Sequence, residues 1–168
     1  LALLNPNDEV IIPTPYWVSY TDIVELTGAI PLLIHCGIDQ SFKMTPEQLE
    51  KKINKKTKLV ILNSPSNPTG STYSKNELKK LADVLIKYPD IYIMTDDIYE
   101  HIRLDEEPFN NIVMVEPKLK SRCIIINGVS KAYSMTGWRI GFAAGPKEII
   151  SAMTILQSQS TSNPTSIS

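Results

Sequence analysis

Cys123-Ile124-Ile125-Ile126-Asn127, followed by Val129-Ser130-Lys131-Ala132-Tyr133-Ser134-Met135-Thr136-Gly137-Trp138-Arg139-Ile140-Gly141, sets an apolar run just ahead of a lysine and a glycine-punctuated loop. The run reads as a buried strand. A lysine at the end of such a strand is costly unless its amine has a task. Lysine shifts its pKa readily when desolvated, and the neutral amine can condense with an aldehyde. Lys131 is therefore the first candidate for chemistry. Arg139, on the far side of the loop, is a candidate for binding an anion such as phosphate, which a guanidinium grips in bidentate fashion.

The same pattern repeats outward along the chain. Lys58-Leu59-Val60-Ile61-Leu62-Asn63 reads as a strand and leads to Asn67-Pro68-Thr69-Gly70. Ile91-Tyr92-Ile93-Met94-Thr95 is another and leads to Asp96-Asp97-Ile98-Tyr99. Residues 9–13 and 30–34 are further strands, and 139–144 is a short one of small residues. Helix signals alternate with them. Residues 17–26 read as a helix, and residues 1–4 as the tail of another. Thr45-Pro46-Glu47-Gln48 and Ser74-Lys75-Asn76-Glu77 are capping boxes. Leu49 and Ile53 follow the first on one face; Leu78, Leu81, Ala82 and Leu85 follow the second at helical spacing. Pro146 opens a last helix, with Ile149, Met153 and Leu156 on one face.

This alternation predicts an α/β domain with a mainly parallel sheet flanked by helices. Ligands of such sheets bind at the carboxyl ends of the strands. The unusual residues sit at three of these ends: 63–70, 96–99 and 130–131. Asp96 and Asp97 compete there. A carboxylate behind an apolar strand needs a partner, and neighbouring strand residues face opposite ways, so both cannot serve one site.

Composition narrows the class of function. The 168 residues suffice for one domain with a core, and 42% hydrophobic with 21% charged residues exclude a disordered chain. A formal net charge of -1 gives no general attraction for nucleic acid. No apolar run has the length of a membrane span. Cys36 and Cys123 lie in apolar runs, which predicts buried free thiols and a cytoplasmic setting. His35 and His101 lie too far apart for a metal-site spacing, so no metal is expected.

Pro15-Tyr16-Trp17, Asn67-Pro68-Thr69-Gly70, Asp96-Asp97-Ile98-Tyr99 and Ser130-Lys131 with Met135-Thr136-Gly137-Trp138-Arg139 together resemble the class I and II aminotransferases of fold type I. Within them the resemblance is to the bacterial aspartate aminotransferases, and it covers essentially the whole chain. It implies pyridoxal 5'-phosphate as cofactor. Lys131 would bond covalently to the cofactor aldehyde and later carry the substrate proton. Asp96, the first of the two aspartates, would meet the pyridine nitrogen. Tyr99 and Asn67 would reach the phenolic oxygen, Ser130 and Arg139 the phosphate, and Trp17 would stack on the ring. The catalytic set so implied is Lys131, Asp96 and Tyr99. The resemblance also implies a cis Asn67–Pro68 bond.

The family's members are longer. The resemblance implies that residues 1–168 are a partial cofactor-binding large domain, with a phosphate loop upstream and a small domain downstream. It implies an intact homodimer that moves an amino group from an amino acid, aspartate above all, to a 2-oxo acid. The resemblance to related bacterial enzymes also implies prephenate as a candidate acceptor. Two other readings stand beside it. One is a carbon–sulfur β-lyase on the same scaffold; the other is a catalytically inactive fragment.

Overall fold

The computed structural model describes residues 1–104 and 107–167. A single six-stranded sheet runs in the order β2-β1-β3-β4-β5-β6. Its strands are β1 (Glu9–Thr14), β2 (Ile30–His35), β3 (Thr57–Asn63), β4 (Tyr92–Asp96), β5 (Cys123–Gly128) and β6 (Gly141–Ala144). β1 to β5 pair in parallel, and β6 closes the edge antiparallel to β5. The mainly parallel α/β expectation is met. Arg139 lies outside β6, with a left-handed backbone at φ 54°, so the strand is shorter than the sequence suggests.

Helices cover both faces because the strands are apolar on both sides. Val10 and Ile12 of β1 join Leu59 and Ile61 of β3 beneath α1 (Ser19–Glu25), where Tyr20 and Val24 meet them. Ile11, Val60, Leu62 and Ile93 face the other way. There they pack against α2 (Pro46–Lys52), α3 (Lys75–Ile86) and the short α4 (Ile112–Val115), through Leu49, Leu78, Leu81, Leu85 and Ile112. Near-continuous apolar runs are what a sheet buried on both faces requires.

Both predicted capping boxes form. Thr45 Oγ1 accepts from the Gln48 amide while Gln48 accepts from the Thr45 amide. Ser74 and Glu77 do the same for α3. Cys36 and Cys123 are buried free thiols. Residues 1–4 are not helical. Asn5 precedes Pro6, which disfavours helical backbone there, and its amide donates to Asp8 in a turn. Leu3 and Leu4 still pack on the cluster under α1.

The last helix, α5 (Lys147–Ser158), begins after Pro146 as expected, but only Ile149 of its apolar face is buried. Met153 is half-buried and Leu156 exposed. Among the described residues no helix is long and apolar enough to cross a membrane. The two apolar layers predict contrasting costs. Leu81→Ala removes a fully buried side chain and should lower stability by about 2–5 kcal/mol. Leu156→Ala should cost under about 0.5 kcal/mol in this chain. Urea denaturation midpoints at constant slope will read both.

Candidate functional site

The sheet changes winding direction between β1 and β3, where chain order reverses, and crevices form there at the carboxyl ends of parallel strands. One open cleft of about 470 Å³ lies along these ends. Its walls include Trp17, Asn67, Asp96, Tyr99, Ser130, Lys131 and Arg139. Every site residue singled out in the sequence therefore reaches the same cavity.

Asp96 is the last residue of β4 and half-buried at the cleft wall. The Ile98 amide donates to its Oδ1 at 3.2 Å, and the Tyr20 hydroxyl donates to its Oδ2 at 2.6 Å. Asp97 points to the other side and is buried. It accepts from Thr95 Oγ1 at 2.6 Å and from Asn111 Nδ2 at 2.7 Å. Burial raises the Asp97 pKa, against these two bonds, which favour its ionised form. Strand alternation thus assigns one carboxylate to the cleft and its neighbour to the interior.

The Asn67 segment is tied directly to β4. Asn63, at the end of β3, accepts from the Asn67 amide at 2.8 Å through Oδ1. Its Nδ2 donates to the Asp96 carbonyl at 2.9 Å. The Asn67–Pro68 bond is cis, as expected. Gly70 closes the turn at φ 71°, a backbone that glycine adopts without strain, and donates to the Ser66 carbonyl.

Lys131 lies in the loop after β5 and is exposed to solvent at the cleft, not desolvated as its place after an apolar strand suggests. The apolar run ends at Gly128, and Val129 and Ser130 carry the chain clear of the core. Gly128 pairs with Gly141 across β5 and β6. A Cβ on Gly128 would stand 2.8 Å from the Ile140 carbonyl oxygen. The close approach thus belongs to Gly128 and to Gly141, whose added Cβ would stand 3.3 Å from the Asn127 carbonyl oxygen, whereas Gly137 has no atom within 4 Å of an added Cβ. This contact holds the Lys131 and Arg139 segments side by side. Arg139 Nη1 donates to the Thr136 carbonyl at 2.9 Å. Asn127 Nδ2 donates to Glu100, joining the Tyr99 turn to the end of β5.

The model of the family described as aminotransferase class I and II matches residues 1–168. The chain belongs to the class I and II aminotransferases. An aspartate/prephenate aminotransferase of Nitrosomonas europaea is 58% identical over 99% of the chain, which spans 42% of that protein. The crystal structure of the Rhizobium meliloti aspartate aminotransferase superposes with a TM-score of 0.97 at 52% identity, over 99% of this chain and 42% of that one. The Thermus thermophilus aspartate aminotransferase with maleate gives a TM-score of 0.90 at 41% identity, over 97% of this chain and 41% of that one. The chain thus spans well under half the length of these relatives.

Two further residues of the cleft were given no role by the sequence. Tyr20 falls within the expected helix of residues 17–26, and Asn63 opens the stretch 63–70 at the end of a strand; both line the cleft. Asn63 carried a weak signal, since a polar amide closing an apolar strand calls for partners. Asn63→Ala strips the Asn67 amide and the Asp96 carbonyl of their partner. It should cost about 1–3 kcal/mol, with faster hydrogen exchange at the Asn67 amide. Gly128→Ala should push β6 from β5, read as lost protection of the β5–β6 amides.

Proposed function

We propose that this chain is the central part of the cofactor-binding large domain of a longer aminotransferase. The intact enzyme moves an amino group from aspartate to a 2-oxo acid through pyridoxal 5'-phosphate. The observation that carries the reading is the convergence of Lys131, Asp96, Tyr99, Asn67, Arg139 and Trp17 on one cleft. The donor set fits the cofactor group by group: an amine for an aldehyde, a carboxylate for a ring N–H, and a phenol and an amide for a phenolic oxygen. A guanidinium with the Ser130 hydroxyl suits a phosphate, and an indole suits the face of a ring. The volume lies in the range usual for small-ligand sites.

When bound, the cofactor supplies an aldehyde for the amino group and a ring that accepts the electron pair left at the substrate α-carbon. The protein supplies anchoring and proton control. Lys131 Nζ would hold the cofactor through its aldehyde and, when freed, would carry the proton to and from the substrate α-carbon. Asp96 would accept from the ring N–H and keep that nitrogen protonated. Tyr99 and Asn67 would donate to the phenolic oxygen and favour its ionised form. Ser130 and Arg139 would bind the phosphate, and Trp17 would cover the ring.

The buried free thiols support a reducing, cytoplasmic setting. Val18, Ile23 and Leu26 by α1, and Ile155 and Leu156 on α5, expose apolar surface. This supports burial against further protein in an intact homodimer.

The intact enzyme should convert aspartate and 2-oxoglutarate to oxaloacetate and glutamate. Given an S-substituted cysteine instead, the enzyme should release no pyruvate; a thiol, pyruvate and ammonia from that substrate, with no glutamate from aspartate, would indicate β-elimination, as in carbon–sulfur lyases, and overturn the reading. Lys131→Ala should lower turnover by at least about 10²–10⁴-fold, the range for a positioned proton-transfer group. Asp96→Ala should also lose turnover. A normal Asp96→Ala beside a dead, folded Asp97→Ala would reverse their assignment. Residues 1–168 alone should give no turnover with pyridoxal phosphate, aspartate and 2-oxoglutarate. Loss of substrate positioning can cost roughly 7–11 kcal/mol of barrier. Glutamate formation at the intact enzyme's rate would refute the partial-domain assignment.

A further inference from the structure

Tyr20 sits at the start of α1, only 5% exposed, beneath the cleft. Its hydroxyl donates to Asp96 Oδ2 at 2.6 Å. Burial first, and then the Asp96 carboxylate, push its phenol far above the ordinary range, so the hydroxyl stays protonated and remains a donor. The Ile98 amide meets the other oxygen, Oδ1, at 3.2 Å. A side chain of α1 and a backbone amide just past β4 thus grip both oxygens of one carboxylate. Each oxygen retains a further acceptor position for a ligand. The ring of Tyr20 also meets Trp17 edge-on, with centroids 5.5 Å apart and an interplanar angle of 88°. One buried side chain therefore touches both the carboxylate and the indole of the cleft.

We propose that Tyr20 is a positioning residue that fixes the rotation of the Asp96 carboxylate, so that an open acceptor position faces the ring nitrogen of the cofactor. The inference rests on the pyridoxal phosphate reading of the cleft. A terminal carboxylate torsion is broad when unrestrained, and a ligand that meets a mobile carboxylate must order it on binding. The Tyr20 hydroxyl removes that freedom in advance, while its ring meets Trp17. A purely packing role for Tyr20 needs only its ring.

The test uses the intact enzyme with Tyr20→Phe and, as a control, Asp96→Asn. Tyr20→Phe keeps the ring and its edge contact with Trp17 but removes the donor. It should weaken pyridoxal phosphate binding on the order of tenfold by equilibrium dialysis. It should also shift the visible absorption band of the bound cofactor and lower kcat more than it raises KM. In cofactor-free protein the Ile98 amide resonance should move as the carboxylate is freed. Tyr20→Met, which fills the buried position without a hydroxyl, must behave as Tyr20→Phe does. Unaltered affinity and spectrum in Tyr20→Phe or Tyr20→Met, beside an impaired Asp96→Asn, would overturn this inference and leave the cofactor reading intact. Unaltered affinity and spectrum in Asp96→Asn would overturn the cofactor reading, and this inference with it.

Discussion

Two successive carboxylates at the end of a β-strand cannot share a side of the sheet, and the site is organised around that constraint. Asp96 faces the cleft, where it is half-buried and gripped by Tyr20 and the Ile98 amide. Asp97 faces the interior, where its charge is tolerable only because Thr95 and Asn111 donate to it. Asn111 also caps α4 by accepting from the Met114 amide. The same asparagine thus steadies a helix and a buried acid. Shifting the strand by one residue would exchange the two acids and undo both arrangements.

The other strand ends are held relative to this one by short polar ties. Asn63 spans β3 and β4 by bonding the Asp96 carbonyl and the Asn67 amide. Glu100 and Asn127 span the Tyr99 turn and the end of β5. Gly128 lets β6 come close, which sets the Arg139 segment beside the Lys131 loop. The candidate site is therefore a row of loops clamped edge to edge, with its rigidity supplied by the parallel strands beneath.

Much of this was legible in the sequence where cause and effect are local. The capping boxes at Thr45 and Ser74 need only four consecutive residues, and both form. The apolar runs predict strands, and their ends mark the cleft. What escaped is set by partners far along the chain. Tyr20 bonds an acid 76 positions away, and nothing within α1 distinguishes it from a core tyrosine. The exposure of Lys131 depends on how Val129 and Ser130 leave the sheet, which residue types alone do not determine. Residues 1–4 looked helical by composition, yet the turn at Asn5 and Pro6 prevails.

The cleft walls come from segments as distant as Trp17 and Arg139, and the paired strands beneath bring them together. Every parallel pairing requires a crossover, so these contacts are long-range and close late in folding. A ligand that needs all the walls binds only the finished sheet and draws the folding equilibrium toward it by mass action. In this architecture the small molecule and the β-sheet are thermodynamically linked: occupancy of the cleft is itself a measure of completed folding.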